Sequence, residues 1–137
     1  MEHSFKLHTY YEDTDAGGIV YHANYLKFAE RARTEFLHQL GMTNSQLFSS
    51  DIMIVVTRIE IDYKSPAFLE DTLCVYTSVE KLGAATAVLL QRITKNNQEI
   101  CRLKVHLAFI SKSSMHPVRI DAGLREKLSE YKINKGE

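Results

Sequence analysis

The chain has 137 residues, 45% hydrophobic and 25% charged, with 17 Lys plus Arg set against 17 Asp plus Glu. That length suits one compact domain over residues 1–137, with a core that needs neither metal nor disulfide. The charge balance argues against a nucleic-acid binder working through bulk positive charge, and no apolar run approaches the roughly 20 residues that span a bilayer.

The first residues, Met1 to Tyr10, are polar and alternating rather than an apolar leader, so a cytoplasmic location is the expectation. Within them Ser4 to Tyr10 predicts a strand with Phe5, Leu7 and Thr9 on one face. Tyr11 to Gly18 is dense in acids and turn formers and reads as a loop. From Ala23 to Leu40 the period becomes helical. Tyr25, Ala29, Ala32, Phe36 and Leu40 follow steps of four and three, with Phe28 beside them. Lys27, Arg31, Thr34 and His38 form the wet stripe, Glu30 and Arg33 are spaced for an intrahelical pair, and Gly41 suits a C-terminal cap. At 1.5 Å per residue such a helix is roughly 27 Å long. Asn44 to Phe48 predicts one more short helical turn.

After Ser50 the pattern is that of strands. Ile52 to Lys64 is the first. Its start, Ile52 to Val56, is apolar on both faces, which asks for a buried centre or a subunit contact. Ser65-Pro66 breaks it. Leu73 to Glu80 and Ala85 to Lys95 follow, joined at Lys81-Leu82-Gly83, and Asn96-Asn97 suits a hairpin tip with positive φ. In the last strand Cys101, Leu103, Val105, Leu107 and Phe109 face inward, against Arg102, Lys104 and His106. Cys74 and Cys101 form no CxxC pair and read as buried, reduced thiols. Asp121 to Tyr131 predicts a terminal helix with Leu124 and Leu128 on one side. The expected architecture is α+β: about five antiparallel strands, the last four in hairpin succession, against one long helix.

The chemistry concentrates just before that helix. Asp15 is a candidate base or nucleophile. The unpaired N–H groups near His22, Ala23 and Asn24 carry the positive end of the helix dipole, suited to a developing oxyanion. Gly17 and Gly18 let the backbone approach a ligand closely. An aspartate in a glycine-rich loop is more often only a turn residue, so the wording of the segment has to carry the reading. The histidines show no metal-ligand spacing.

The segment Asp15-Ala16-Gly17-Gly18-Ile19-Val20-Tyr21-His22-Ala23-Asn24-Tyr25 resembles the signature of the 4-hydroxybenzoyl-CoA thioesterase-like hotdog family. The flanking Tyr11-Glu12-Asp13-Thr14 and Glu30-Arg31-Ala32-Arg33-Thr34-Glu35 resemble its Tol-Pal-associated acyl-CoA thioesterase subgroup, and the likeness runs on through Tyr63-Lys64-Ser65-Pro66-Ala67 and Asp71. Gly17 is a small departure, since relatives often carry another small residue there.

The resemblance implies a hotdog fold, with the sheet wrapped round the helix, and an acyl-CoA thioester hydrolase active without metal or tightly held cofactor, coenzyme A being part of the substrate. It implies a homodimer, with a homotetramer as a further pairing, and active sites at the dimer interface. Asp15, His22 and Tyr11 fall on the catalytic positions. Read from the residues themselves, Gly18, Val20, Tyr21, Ala23 and Asn24 are candidate substrate contacts, Lys64 and Ser65 end a strand either as contacts for the coenzyme A phosphates or as a solvated loop, and the depth of the acyl pocket depends on how Tyr25, Phe28 and Met53 pack across a dimer. The carrier is coenzyme A or an acyl carrier protein, with no nucleic-acid partner and no membrane insertion. An acyl-thioester hydratase or dehydratase, and a non-catalytic acyl-thioester or acyl-carrier-protein binding module, are the competing readings.

Overall fold

A computed structural model describes residues 1–133; residues 134–137 lie outside the described part of the 1–137 unit. The elements are β1 (His3–His8), a single 3-10 turn (Tyr11–Asp13), α1 (Asn24–Gln39), α2 (Asn44–Ser49), β2 (Ile52–Tyr63), β3 (Thr72–Leu82), β4 (Thr86–Lys95), β5 (Gln98–Ser111) and α3 (Ala122–Ser129). The five strands form one antiparallel sheet in the order β1-β3-β4-β5-β2. The α+β expectation holds. Among the described residues no helix is long and apolar enough to cross a membrane.

The long helix forms where its period demands. Tyr25, Phe28, Ala29, Ala32 and Phe36 are buried within it, and Leu40 at its end, while Lys27, Arg31 and His38 are exposed. Its C-terminus closes as a Schellman turn. Gly41 sits at φ 89°, its N–H donating to His38 O at 3.0 Å, and Met42 N–H donates to Leu37 O at 2.8 Å. Lys127 of α3 adds a bond to Leu40 O at 3.2 Å, placing a cation at the negative end of the dipole. Glu30 and Arg33 form no ion pair among the described residues. Arg33 turns instead into the sheet and donates to Gln91 Oε1 at 3.0 Å. Gln91, wholly buried on β4, donates to Ala29 O at 2.9 Å and Thr77 Oγ1 at 3.1 Å, so a core amide that would be costly unpaired becomes a clamp between helix and sheet.

The last four strands are not in hairpin succession: β3-β4-β5 is a meander, but β2 pairs with β5, leaving β2 and β1 as the two edges. The chain after Tyr63 therefore crosses from one side of the sheet to the other. Its Ala67 docks on Val20 and Tyr25 instead of turning back on β2. The first strand also begins one residue early and ends at His8, although Thr9 N–H still donates to Asp71 O at 2.9 Å. Asn96 and Asn97 adopt φ 51° and 63°, as the hairpin tip requires. Cys101 is buried, and burial, with the Asp62 charge next, pushes its thiol up to about 12; Cys74 is half-buried and free.

The early start of β1 buries His3 against Phe36, with ring centroids 5.6 Å apart and no hydrogen-bond partner for Nδ1 among the described residues. Desolvation holds its pKa below the ordinary 6.5, against a smaller upward pull from Glu35. The unfolded chain therefore binds a proton more readily than the folded one. The stabilisation is complete above pH 6.5 and is lost as pH falls through the folded value. Denaturant melts at pH 8 and pH 5 are expected to show a lower midpoint at pH 5, with His3→Leu removing part of that difference.

Candidate functional site

The loop before α1 is held from both sides. Asp13, buried, accepts from Tyr10 N–H at 2.8 Å through Oδ2, and its carbonyl accepts from Tyr21 N–H at 2.9 Å and from Asn24 Nδ2 at 2.7 Å. Thr14 and Val20 bridge, and Asp15 N–H donates to Ile19 O at 2.8 Å, so residues 15–19 form a closed turn. Gly18 N–H returns to Asp15 O at 3.1 Å with φ 83°, a left-handed position that glycine takes without strain. Asp15 Oδ1 accepts from Gly17 N–H at 2.8 Å; a Cβ on Gly17 would meet that oxygen at 3.2 Å. The exposed Asp15 carboxylate is thus oriented by its own turn, and no donor engages its Oδ2 among the described residues.

The β2–β3 connection packs on this loop. Val20 N–H donates to Ala67 O at 2.8 Å, and Ala67 N–H donates to Tyr25 Oη at 3.0 Å. Between them opens a pocket of ≈ 270 Å³ lined by Ile19, Val20, His22 and Tyr25 on one side and Tyr63, Lys64, Ser65 and Pro66 on the other. Tyr63 donates its hydroxyl to His22 O at 2.7 Å and stacks edge-on against Tyr25 at 5.5 Å and His22 at 6.3 Å. Burial, then the neighbouring Cys101 and Tyr25 groups, raises the Tyr63 pKa above its ordinary 10, so the phenol stays a donor at neutral pH. Lys64 is ion-paired to Glu99. Burial works against the Glu99 carboxylate, yet Arg102 and Lys64 hold its pKa below the usual range.

Of the residues expected at the site, Val20, His22, Lys64 and Ser65 meet round this pocket. Asp15 and Gly18 lie on the turn beside it, while Tyr11 and Tyr21 are 81% and 47% exposed. Tyr21 packs on His22, ring centroids 4.5 Å apart. The donors at the helix start divide. Asn24 N–H is occupied by Tyr21 O at 2.9 Å, and its side chain is spent on Asp13; no acceptor faces the N–H of His22 or Ala23 among the described residues. Phe28 is core, with no exposed surface, and lines neither this pocket nor the next. Tyr63 was missed as a site residue because its contact with His22 spans 41 positions of the chain.

A larger groove of ≈ 670 Å³ follows the same edge of the molecule. Its walls are Glu30, Arg33, Thr34 and Leu37 of α1 and Ile52, Met53, Ile54 and Val56 of β2. Among the described residues no three His, Cys, Asp or Glu side chains gather to hold a metal ion.

Residues 11–128 match the model of the thioesterase-like superfamily. The acyl-CoA thioesterase YbgC of Haemophilus influenzae is 43% identical over 116 residues, covering 84% of this chain and 85% of that protein. The acyl-CoA thioesterase YbgC of Helicobacter pylori is 32% identical over 133 residues, covering 90% and 98%. The crystal structure of a probable thioesterase from Bartonella henselae superposes with a TM-score of 0.84 at 34% identity, covering 88% of this chain and all of that one.

The turn makes its own prediction. A Cβ on Gly18 meets nothing within 4 Å, so the cost of Gly18→Ala is backbone strain alone. Chemical denaturation is expected to show a loss of about 1–2 kcal/mol, the usual cost of a left-handed non-glycine residue.

Proposed function

The chain belongs to the thioesterase-like superfamily, and from that premise we propose that it hydrolyses acyl-CoA thioesters to a carboxylic acid and coenzyme A. The observation that carries the proposal is the pairing, in one short segment, of an oriented carboxylate with unsatisfied backbone donors: Asp15 on its closed turn, and the His22 and Ala23 N–H groups at the start of α1. The names of relatives at 43% and 32% identity support the same activity.

In the proposed reaction the thioester carbonyl oxygen lies against the His22 and Ala23 N–H groups. As the carbonyl is attacked, negative charge grows on that oxygen, and fixed donors with the helix dipole behind them stabilise it more than they stabilise the ground state. Asp15 either takes a proton from the attacking water or attacks first, giving a mixed anhydride that water then opens. In both routes the C–S bond breaks and the thiolate leaves with its electron pair. A thiolate is a good leaving group, so the acid requirement is modest. The His22 imidazole and the Tyr11 hydroxyl are secondary aids to water and substrate. Gly18, Val20 and Tyr21 frame the turn against which the thioester lies, and Lys64 and Ser65 meet the carrier. The acyl group follows the apolar groove between α1 and β2, where Met53 and Leu37 form the walls. No metal or organic cofactor enters the scheme.

A homodimer, with a tetramer as a second stage, fits the same geometry. Among the described residues β2 pairs only with β5, so its outer edge is open there, and Val56 on it is 45% exposed. An open, apolar strand edge invites pairing with another chain, and the apolar start of β2, half-buried in one chain, gains its missing cover there. Light scattering at micromolar concentration is expected to give at least twice the chain mass of 15.7 kDa, and a stable, active monomer overturns the assembly.

The chemistry is tested by Asp15→Asn, which keeps the shape and removes the base or nucleophile. Turnover is expected to fall about a hundredfold or more, with folding and acyl-CoA binding kept. A folded variant with near wild-type turnover removes Asp15 from the mechanism.

A further inference from the structure

We propose that Tyr63 is a positioning residue for hydrolysis: its hydroxyl fixes the His22–Ala23 peptide plane so that the Ala23 N–H stands as an oxyanion donor beside that of His22. The inference rests on the hydrolase reading above and adds a residue to it.

A trans peptide is rigid and planar, so its C=O and N–H point in opposite directions and anchoring one end aims the other. The His22 and Ala23 N–H groups, both without an acceptor among the described residues, belong to successive planes. The His22 N–H shares its plane with Tyr21 C=O, which is anchored by Asn24 N–H at 2.9 Å. The Ala23 N–H shares its plane with His22 C=O, which is anchored by Tyr63 Oη at 2.7 Å. The first anchor is backbone on backbone. The second is a side chain from the far end of β2, 41 positions along the chain.

Ala23 itself is helical, at φ −71° and ψ −20°, so with its plane held its N–H points out of the N-terminal end of α1 with the dipole. A hydrogen bond accepted by the carbonyl also polarises the amide and makes its N–H a better donor. Tyr63 is well held for this task, since its ring lies edge-on against Tyr25, and Tyr25 Oη in turn accepts from Ala67 N–H at 3.0 Å. Without the Tyr63 hydroxyl the His22–Ala23 plane has no side-chain anchor, and part of the alignment that makes the donors worth more in the transition state is lost.

The test is Tyr63→Phe, which keeps the ring and its stacking and removes one oxygen. Steady-state hydrolysis of one acyl-CoA is expected to show kcat lowered about tenfold with KM little changed, because an oxyanion contact acts in the transition state. A purely structural role would instead move KM and the melting temperature along with kcat. The second readout needs no turnover: the Ala23 amide ¹⁵N resonance of the free protein reports hydrogen bonding to His22 C=O, and it is expected to move upfield in Tyr63→Phe. Unchanged kcat in a folded variant, or an unmoved Ala23 resonance, overturns the role of Tyr63 while leaving the hydrolase reading intact. A wild-type protein that releases no thiol overturns that reading and this inference with it.

Discussion

The apolar stripe of α1 meets the sheet through small and large residues in alternation, and the placement of the site follows from that contact. Ala29 and Ala32 let the helix come close, while Phe28 and Phe36 fill the space on either side. Gln91 reaches up from β4 to Ala29 O and fixes the helix in register, so a sliding or rolling motion would break a buried hydrogen bond as well as the packing. Because that contact holds the helix along its length, its first turn cannot wander. The unpaired donors at its start are therefore presented at one fixed place beside the Asp15 turn. Burying several large side chains, at about 1.5–3 kcal/mol each, supplies the rigidity that holds the start of α1 in place.

Much of this could be read from residue order. The helix was legible because Tyr25, Ala29, Ala32, Phe36 and Leu40 keep one period and the wet stripe keeps the other. The last strand was legible because Cys101 to Phe109 alternates without a fault. The sheet order was not. Ser65-Pro66 reads the same whether the chain turns back on itself or crosses the sheet, and only the docking of Ala67 on Val20 and Tyr25 separates the two. The open edge follows from that crossing, so the residues alone show the doubly apolar start of β2 but do not place it on a boundary.

At the site, the carboxylate, the glycines and the helix start stood together in one segment and were found as a segment. What the sequence could not apportion was the use of each donor. Asn24 looks like a free donor in the sequence, yet its N–H closes a turn on Tyr21 and its amide is spent on Asp13. Tyr63 and His22 touch through an interaction between distant parts of the chain, which no local pattern announces. The family likeness covers both ends of that contact without revealing that they meet.

Turnover by this arrangement is read as free thiol released from a panel of acyl-CoA thioesters by the purified protein. Continuous release over many turnovers is expected, with one thiol and one carboxylic acid formed for each water consumed. Saturable binding of the same thioesters without release would contradict it, and would leave the chain as an acyl-thioester binding module built on a hydrolase fold.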